Sequence, residues 1–167
     1  QKRADVNVAD PDGTTALHWA VRGNNADIVK ALLGARANPN AANSYGMTPL
    51  ILAATNGNPD ITQQLLTAGA DPNKPAAQGQ TPLMTAARTG NAATVKALLD
   101  KGAKVDARET VLGEQALMWA AAENHADVIA LLLARGADVN ARSNALKFPK
   151  DSFGLEGVLT SLPKGDW

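Results

Sequence analysis

A short motif recurs along this chain at an almost constant step, and it restricts the possible folds more than any other feature. Its copies begin at Gly13, Gly46, Gly79 and Gly113, at steps of 33, 33 and 34 residues. The second and third copies read Gly-x-Thr-Pro-Leu, and the other two are variants of that pattern. A second marker keeps the same phase, at Asn7, Asn40, Asn73, Asp106 and Asn140. A fixed period of this length predicts stacked supersecondary units rather than a domain around one central core.

Each unit carries the pattern of two helices. The first is predicted to begin after a threonine (Thr15, Thr48, Thr81), which Gln115 replaces in the fourth unit. Threonine is a good N-cap, and a proline at the next position, as in the second and third units, suits the first helical turn. A break follows at residues that tolerate the left-handed conformation: Asn24, Gly57, Gly90 and Asn124.

The second helix is predicted to start at an asparagine N-cap (Asn25, Asn58, Asn91), for which the fourth unit has His125. Its apolar residues fall on one stripe, which a single helix pair cannot bury, so neighbouring units must stack. The helix is predicted to end at glycines 69, 102 and 136, whereas the first unit has Arg36 there. If that position is left-handed in every unit, arginine there costs about 1 kcal/mol.

Composition excludes several classes of function. Lysine plus arginine equals aspartate plus glutamate, 16 against 16, and no basic run indicates a nucleic-acid surface. The chain has no cysteine, so disulfides, thiolate metal sites and a cysteine nucleophile are ruled out. No apolar stretch is long enough to span a membrane, and no phosphate loop or catalytic triad pattern occurs. We therefore expect no cofactor, no metal and no catalytic residue.

These motifs together resemble the ankyrin repeat, over about residues 1–143. The resemblance implies an all-α solenoid in which each repeat is a β-turn followed by two antiparallel helices, with the turns projecting beside a concave binding face. It places four repeats at about 8–40, 41–73, 74–106 and 107–140, preceded by the end of another repeat. Irregularities in the copies favour a natural protein over a consensus design, and we expect a bacterial piece of a longer array.

The fourth repeat and the tail depart from the family pattern. Gln115-Ala116 stands where the family has Thr-Pro, and one extra residue precedes Gly113. Because loss of a threonine N-cap costs about 1 kcal/mol, we expect this turn to be looser. Residues 144–167 are predicted to be a non-repeat insertion, or finger, leading to a truncated next repeat. They either cap the exposed core of the fourth repeat, which we favour, or bind a partner.

The sequence favours structural roles for both histidines and for two of the tryptophans. By resemblance, the His18 ring bonds across neighbouring turns, and His125 holds a usual position at the start of the second helix. The two lie about three repeats apart, so they cannot share a metal or form a catalytic pair. Trp19 and Trp119 occupy equivalent helix positions, where we expect them to pack between repeats; lining the concave groove is the alternative.

The resemblance implies a non-catalytic protein-interaction module that binds a protein partner through its concave face. The alternative is a regulatory or scaffolding segment of a larger multidomain enzyme. We expect a monomer without a nucleic-acid partner, in the cytoplasm or periplasm. By family position, the contacting residues are Asp12, Thr14, Arg22, Tyr45, Met47, Thr55, Asn56, Gln78, Gln80, Arg88, Leu112, Glu114 and Glu123.

Overall fold

The computed structural model describes residues 5–144, and the predicted tail lies outside this range apart from its first residue, Asn144. The described residues form four pairs of helices and one isolated β-bridge, between Ala9 and Thr15. The helices are α1 (Ala16–Arg22), α2 (Ala26–Gly34), α3 (Pro49–Asn56), α4 (Pro59–Thr67), α5 (Pro82–Thr89), α6 (Ala92–Asp100), α7 (Ala116–Ala122) and α8 (Ala126–Ala134). A single 3-10 turn lies between α4 and α5, at Ala77–Gly79. The predicted all-α repeat solenoid is confirmed.

The helices begin where the capping residues predict. The Thr48 and Thr81 hydroxyls accept bonds from backbone N–H groups of α3 and α5, each at 3.3 Å. The side chains of Asn25, Asn58 and Asn91 cap the second helices in the same way, at 2.9–3.0 Å. In the fourth repeat neither predicted cap position supplies a side-chain cap bond. Local sequence thus sets the helix starts.

The helices stack in two rows that share one core. The first helices pack in the order α1, α3, α5, α7, and the second helices in the order α2, α4, α6, α8. Leu17, Leu50 and Leu83 are buried between the rows, as are their partners on the second helices, such as Ile61 and Val95. These residues belong to one hydrophobic cluster that runs through all four pairs. Burial between neighbours, which one pair cannot achieve, therefore holds the array together.

The side chain of the asparagine marker forms hydrogen bonds from one repeat to the next. The Asn40 side-chain amide donates to the Gly69 carbonyl at 2.8 Å, and its oxygen accepts from the Asp71 N–H at 2.7 Å. Asn7 and Asn73 make the same pair of bonds one repeat earlier and one repeat later. Asp106, at the fourth position, has no amide and cannot donate. The asparagine recurs at the repeat period because its side chain bonds one repeat to the next.

Backbone bonds also join the turns of successive repeats. N–H groups of Ser44, Ala77 and Thr110 donate to the turn carbonyls of the preceding repeat, at 2.7, 3.1 and 2.7 Å. The Asn144 N–H donates to the Leu112 carbonyl at the equivalent place. The last described residue therefore follows the same repeat register. The domain limits inferred from sequence remain predictions.

The left-handed positions are confirmed. Gly69, Gly102 and Gly136 have φ between 85° and 90°, and Arg36 has φ of 69°. The break residue Gly90 is also left-handed, with φ of 75°, and glycine is needed there for a second reason, because a Cβ atom would clash with the His125 ring. Glycine at this break lets the ring of the next repeat lie against the backbone.

Candidate binding surface

The turns and the exposed residues of the first helices form one surface, which we call the turn face. It is the surface that the resemblance describes as concave. Every residue predicted to make partner contacts is at least partly exposed. Tyr45, at the tip of the second turn, is 67% exposed.

A buried histidine ties the first two turns of this face together. His18 Nδ1 accepts a bond from the Thr15 N–H at 3.1 Å, and Nε2 lies 3.0 Å from the Met47 carbonyl oxygen. These partners require the neutral ring with its proton on Nε2, which donates to Met47. Burial lowers the pKa of His18, and the bond to Met47 only partly opposes that effect. The structural interpretation of His18 is confirmed.

The second histidine also has a structural contact. His125 Nε2 lies 3.0 Å from the Arg88 carbonyl oxygen of the preceding repeat, to which it can donate. Asn91 makes the equivalent bond one repeat earlier, where the Asn91 amide donates to the Gly57 carbonyl at 2.7 Å. His125 thus replaces the asparagine as a link between repeats, although its side chain does not cap α8.

The first cleft of the turn face lies between repeats 1 and 2 and has a volume of about 270 Å³. It brings together five of the predicted contact residues, Asp12, Thr14, Arg22, Tyr45 and Met47. The Thr14 N–H, followed by the Thr14 hydroxyl, lowers the pKa of Asp12, so its carboxylate is ionised at neutral pH. The cleft also contains Trp19 and Leu52, which sequence reasoning did not place among the contact residues.

The second cleft lies between repeats 3 and 4 and measures about 230 Å³. Three predicted residues, Arg88, Glu114 and Glu123, meet there around the Trp119 ring. The indole N–H of Trp119 donates to Glu114 Oε2 at 2.9 Å, and the Arg88 guanidinium carbon lies 5.2 Å from the ring centroid. Side chains from two neighbouring repeats therefore build this cleft.

The expectation that both tryptophans pack between repeats is wrong for Trp19. Its side chain is 54% exposed, its indole N–H donates to Asp10 Oδ2 at 3.2 Å, and Arg22 lies over its ring at 5.4 Å. Trp119 is half-buried against the core, because α5 of the preceding repeat lies beside it. Among the described residues no helix occupies the corresponding side of Trp19. Trp19 and Trp119 hold equivalent positions in their helices, and this equivalence could have predicted that both rings line the groove.

The other predicted contact residues are not brought into these two clefts. The Asn56 amide donates to the Val21 carbonyl at 2.7 Å, and the Thr55 hydroxyl donates to the Ile51 carbonyl at 2.9 Å. Gln78 and Leu112 use their carbonyls in the bonds between turns, and Gln78 is left-handed with φ of 66°. Gln80, on the third turn, accepts the Ala76 N–H on its backbone carbonyl. Stacking thus occupies parts of these residues, and their partner contacts remain a prediction.

The extra residue of repeat 4 is accommodated by Glu109. Its carboxylate accepts bonds from N–H groups of Val111, Leu112 and Glu114 at 2.6, 2.6 and 2.9 Å. Burial raises the pKa of Glu109, but the bonds that its carboxylate accepts from the N–H of Glu114 and its neighbours lower the pKa by more. The net shift of the pKa is therefore downward. Gln115 makes no cap bond and donates instead to the Asp106 carbonyl at 3.1 Å. The lost cap is confirmed, whereas the expected looseness of this turn remains a prediction.

Between residues 5 and 144, no three histidine, aspartate or glutamate side chains are grouped so that they could hold a metal ion. No helix in the same range is both long and apolar enough to cross a membrane.

A model of the ankyrin-repeat family, described as three copies of the repeat, matches residues 2–76 and again 54–143. The two matches together cover most of the chain. The chain belongs to the ankyrin-repeat family. Ankyrin repeats are generally protein–protein interaction modules and typically non-catalytic. No curated protein matches the chain significantly.

Proposed function

We propose that this ankyrin-repeat chain is a non-catalytic module that binds a protein partner through its concave turn face. The observation that carries the proposal is the gathering of exposed and half-buried aromatic and charged side chains into two clefts on that face. Aromatic and arginine side chains are the residues that most often dominate protein interfaces.

The scaffold beneath the clefts supports this function. The turn tips are joined by backbone bonds between repeats, and His18 bonds both Thr15 and Met47 from beneath the first cleft. A surface that is already ordered loses little conformational entropy when a partner binds. The charge balance of the whole chain supports a protein partner over nucleic acid, and the proposal takes the chain to act as a monomer.

Affinity capture from lysate tests the proposal, with mass spectrometry as the readout. The wild-type chain is compared with Tyr45→Ala and Arg88→Ala, which each truncate one cleft. Lys30→Ala is the matched control, because Lys30 is an exposed cation on α2, away from the turn face. We expect a set of proteins that the wild type and the control retain and that both cleft variants lose.

Circular dichroism first establishes that each variant has the wild-type helix content. Equal capture by all four proteins would place the binding surface elsewhere and contradict the proposal.

A further inference from the structure

The two clefts are built from the same three kinds of side chain. Trp19 and Trp119 hold the same position in the first helix of repeats 1 and 4, and each indole N–H donates to a carboxylate of its own turn. An arginine guanidinium lies over each ring, at 5.4 Å in the first cleft and 5.2 Å in the second. The stack therefore presents one indole–arginine–carboxylate cluster near each end of its turn face.

The middle of the turn face lacks this cluster. The helix positions equivalent to the tryptophans are Leu52 in repeat 2, which is half-buried, and Thr85 in repeat 3, which is buried. Of the four equivalent positions, only the outer two therefore present an aromatic ring. The positions between them that are exposed on the turn tips carry uncharged side chains, including Tyr45 and Gln78.

Both clusters carry the same charge. The first contains Asp10, Asp12 and Arg22, and the second contains Glu114, Glu123 and Arg88, so each combines two negative groups with one positive group. The single positive group in each is stacked on an indole ring. A ligand that matches both clusters therefore offers a cation to the carboxylates and an apolar group to the ring.

The separation of the clusters defines the length of such a ligand. They lie three repeats apart, and packed helices are separated by about 8–10 Å, which places the tryptophans about 27 Å apart. An extended chain advances about 3.3 Å per residue, so about eight residues span that distance. A helix would need about eighteen residues at 1.5 Å each.

We propose that the turn face binds one extended peptide segment that carries two anchors about eight residues apart, each a lysine or arginine beside an apolar residue. This inference rests on the proposed protein-binding function and names the class of partner. The first anchor enters the cleft of Trp19, and the second enters the cleft of Trp119. Occupation of one cleft holds the second anchor near its own cleft, which raises the affinity without any new contact.

Fluorescence anisotropy with labelled synthetic peptides tests the proposal. The main probe carries Lys-Leu pairs eight residues apart on a linker of prolines, which stays extended at about 3.1 Å per residue. Comparison probes carry one pair, two pairs four residues apart, two pairs eighteen residues apart, or two Glu-Leu pairs eight residues apart. We expect the main probe to bind at least about tenfold more tightly than each comparison probe, because only it reaches both clefts with the right charge.

Variants of the full chain assign the anchors. Trp19→Ala and Trp119→Ala are each expected to weaken the main probe to the affinity of the one-pair probe, while Lys30→Ala leaves it unchanged. Since Trp119 is half-buried, its replacement could disturb the fold. Glu123→Gln is therefore a second variant of the same cleft, at an exposed position, and is expected to weaken the main probe at least about threefold.

The outcomes separate this inference from the proposed function. Equal affinity of the one-pair and two-pair probes, tighter binding of the acidic probe, or a preference for the eighteen-residue spacing would overturn the two-anchor proposal. If the peptides fail while protein capture still depends on Tyr45 and Arg88, the binding function stands and only the partner class is wrong. If capture is also insensitive to those residues, both proposals fall.

Discussion

Four residues other than glycine adopt left-handed backbone in the described part of the chain: Asn24, Arg36, Gln78 and Asn124. Asparagine tolerates this conformation better than most residues, because its short polar side chain can bond locally. Arg36 has no such advantage, and the equivalent residues of the other three repeats are glycines with φ of 85° to 90°. Comparison of the repeats therefore shows that the left-handed backbone of Arg36 carries a conformational cost that the glycines of the other repeats do not.

Replacing Arg36 by glycine should stabilise the chain by about 1 kcal/mol, because glycine adopts positive φ without steric cost. The carbonyl that Asn7 bonds is retained, since it belongs to the backbone. Thermal unfolding followed by circular dichroism measures the change, and a higher melting temperature is expected.

Gly69→Ala is the reverse control. A Cβ atom at Gly69 meets nothing within 4 Å, so alanine there tests the backbone conformation alone and should lower the melting temperature. An unchanged or lower melting temperature for Arg36→Gly would contradict the strain argument.

His18 should make stability depend on pH. Its pKa is lowered in the folded chain, so below about pH 6.5 the unfolded chain binds more protons than the folded one. The contribution of neutral His18 to the free energy of unfolding is therefore complete above that pH. It declines as the pH falls toward the pKa of His18 in the folded chain.

Urea unfolding of the wild type and His18→Gln at pH 7.5 and pH 5 measures this effect. We expect the variant to be less stable by about 1–3 kcal/mol at pH 7.5, through loss of buried bonds, and the difference to narrow at pH 5. A difference that is the same at both pH values would refute the role of His18 protonation.

Among the elements, the junctions between repeats differ in quality. Asn7, Asn40 and Asn73 each join two repeats with one donated and one accepted bond. Between residues 5 and 144 the Asp106 side chain makes neither of these bonds: a carboxylate has no N–H to donate, and its oxygens accept no bond from the Asp138 N–H. The fourth repeat also lacks both side-chain helix caps, although Glu109 satisfies the N–H groups of its longer turn. Repeat 4 therefore depends more on its buried apolar residues than its neighbours do.

Asp106→Asn should strengthen that junction by about 1 kcal/mol, because the new amide can donate to the Gly136 carbonyl as Asn40 donates to Gly69. Urea denaturation measures the gain as a higher midpoint at an unchanged slope. The matched reverse variant is Asn40→Asp, which removes a donor from an intact junction and should lower the midpoint by a similar amount. A midpoint that does not rise for Asp106→Asn would show that the fourth junction is closed in another way.

For the whole molecule, stability should follow from contacts between neighbouring helix pairs, because the hydrophobic cluster is continuous but each pair touches mainly the pairs beside it. Each first helix packs on the first helices beside it, and each second helix on the second helices beside it. In such an array, a destabilising substitution in one outer repeat lowers the stability of that repeat and mainly of the repeat beside it.

Leu132→Ala tests this behaviour, because Leu132 is fully buried in α8. Loss of about 2–5 kcal/mol is expected locally. Hydrogen exchange should accelerate most in α7 and α8, less in α5 and α6, and least in α1 and α2. Leu65→Ala, in an inner repeat, is the control and should accelerate exchange on both sides. Uniform acceleration in all eight helices by Leu132→Ala would indicate one cooperative unit instead.

Much of the fold was predictable because it depends on local chemistry that repeats. Threonine and asparagine caps, left-handed glycines and the apolar stripe each have a short-range cause, so they can be recognised in a single sequence. The candidate site was predictable only as a set of positions. That Trp119 meets Arg88, while Trp19 meets Arg22, depends on the distance between repeats and on which neighbour lies beside each ring.

The Gly-x-Thr-Pro-Leu motif and its period determined by themselves the repeat stack and the family, and the threonine and asparagine caps determined the helix starts, because each of these is written in the sequence of the repeats themselves. Only the tertiary structure decided that the asparagine marker joins repeats, that Glu109 fills the longer turn, and that charged side chains and indoles gather into two clefts. Glu109 bonds within its own turn, to N–H groups two to five positions further along the chain, whereas the marker and the second cleft join residues about 30 positions apart. Their geometry follows from how the helix pairs pack, which no single repeat specifies.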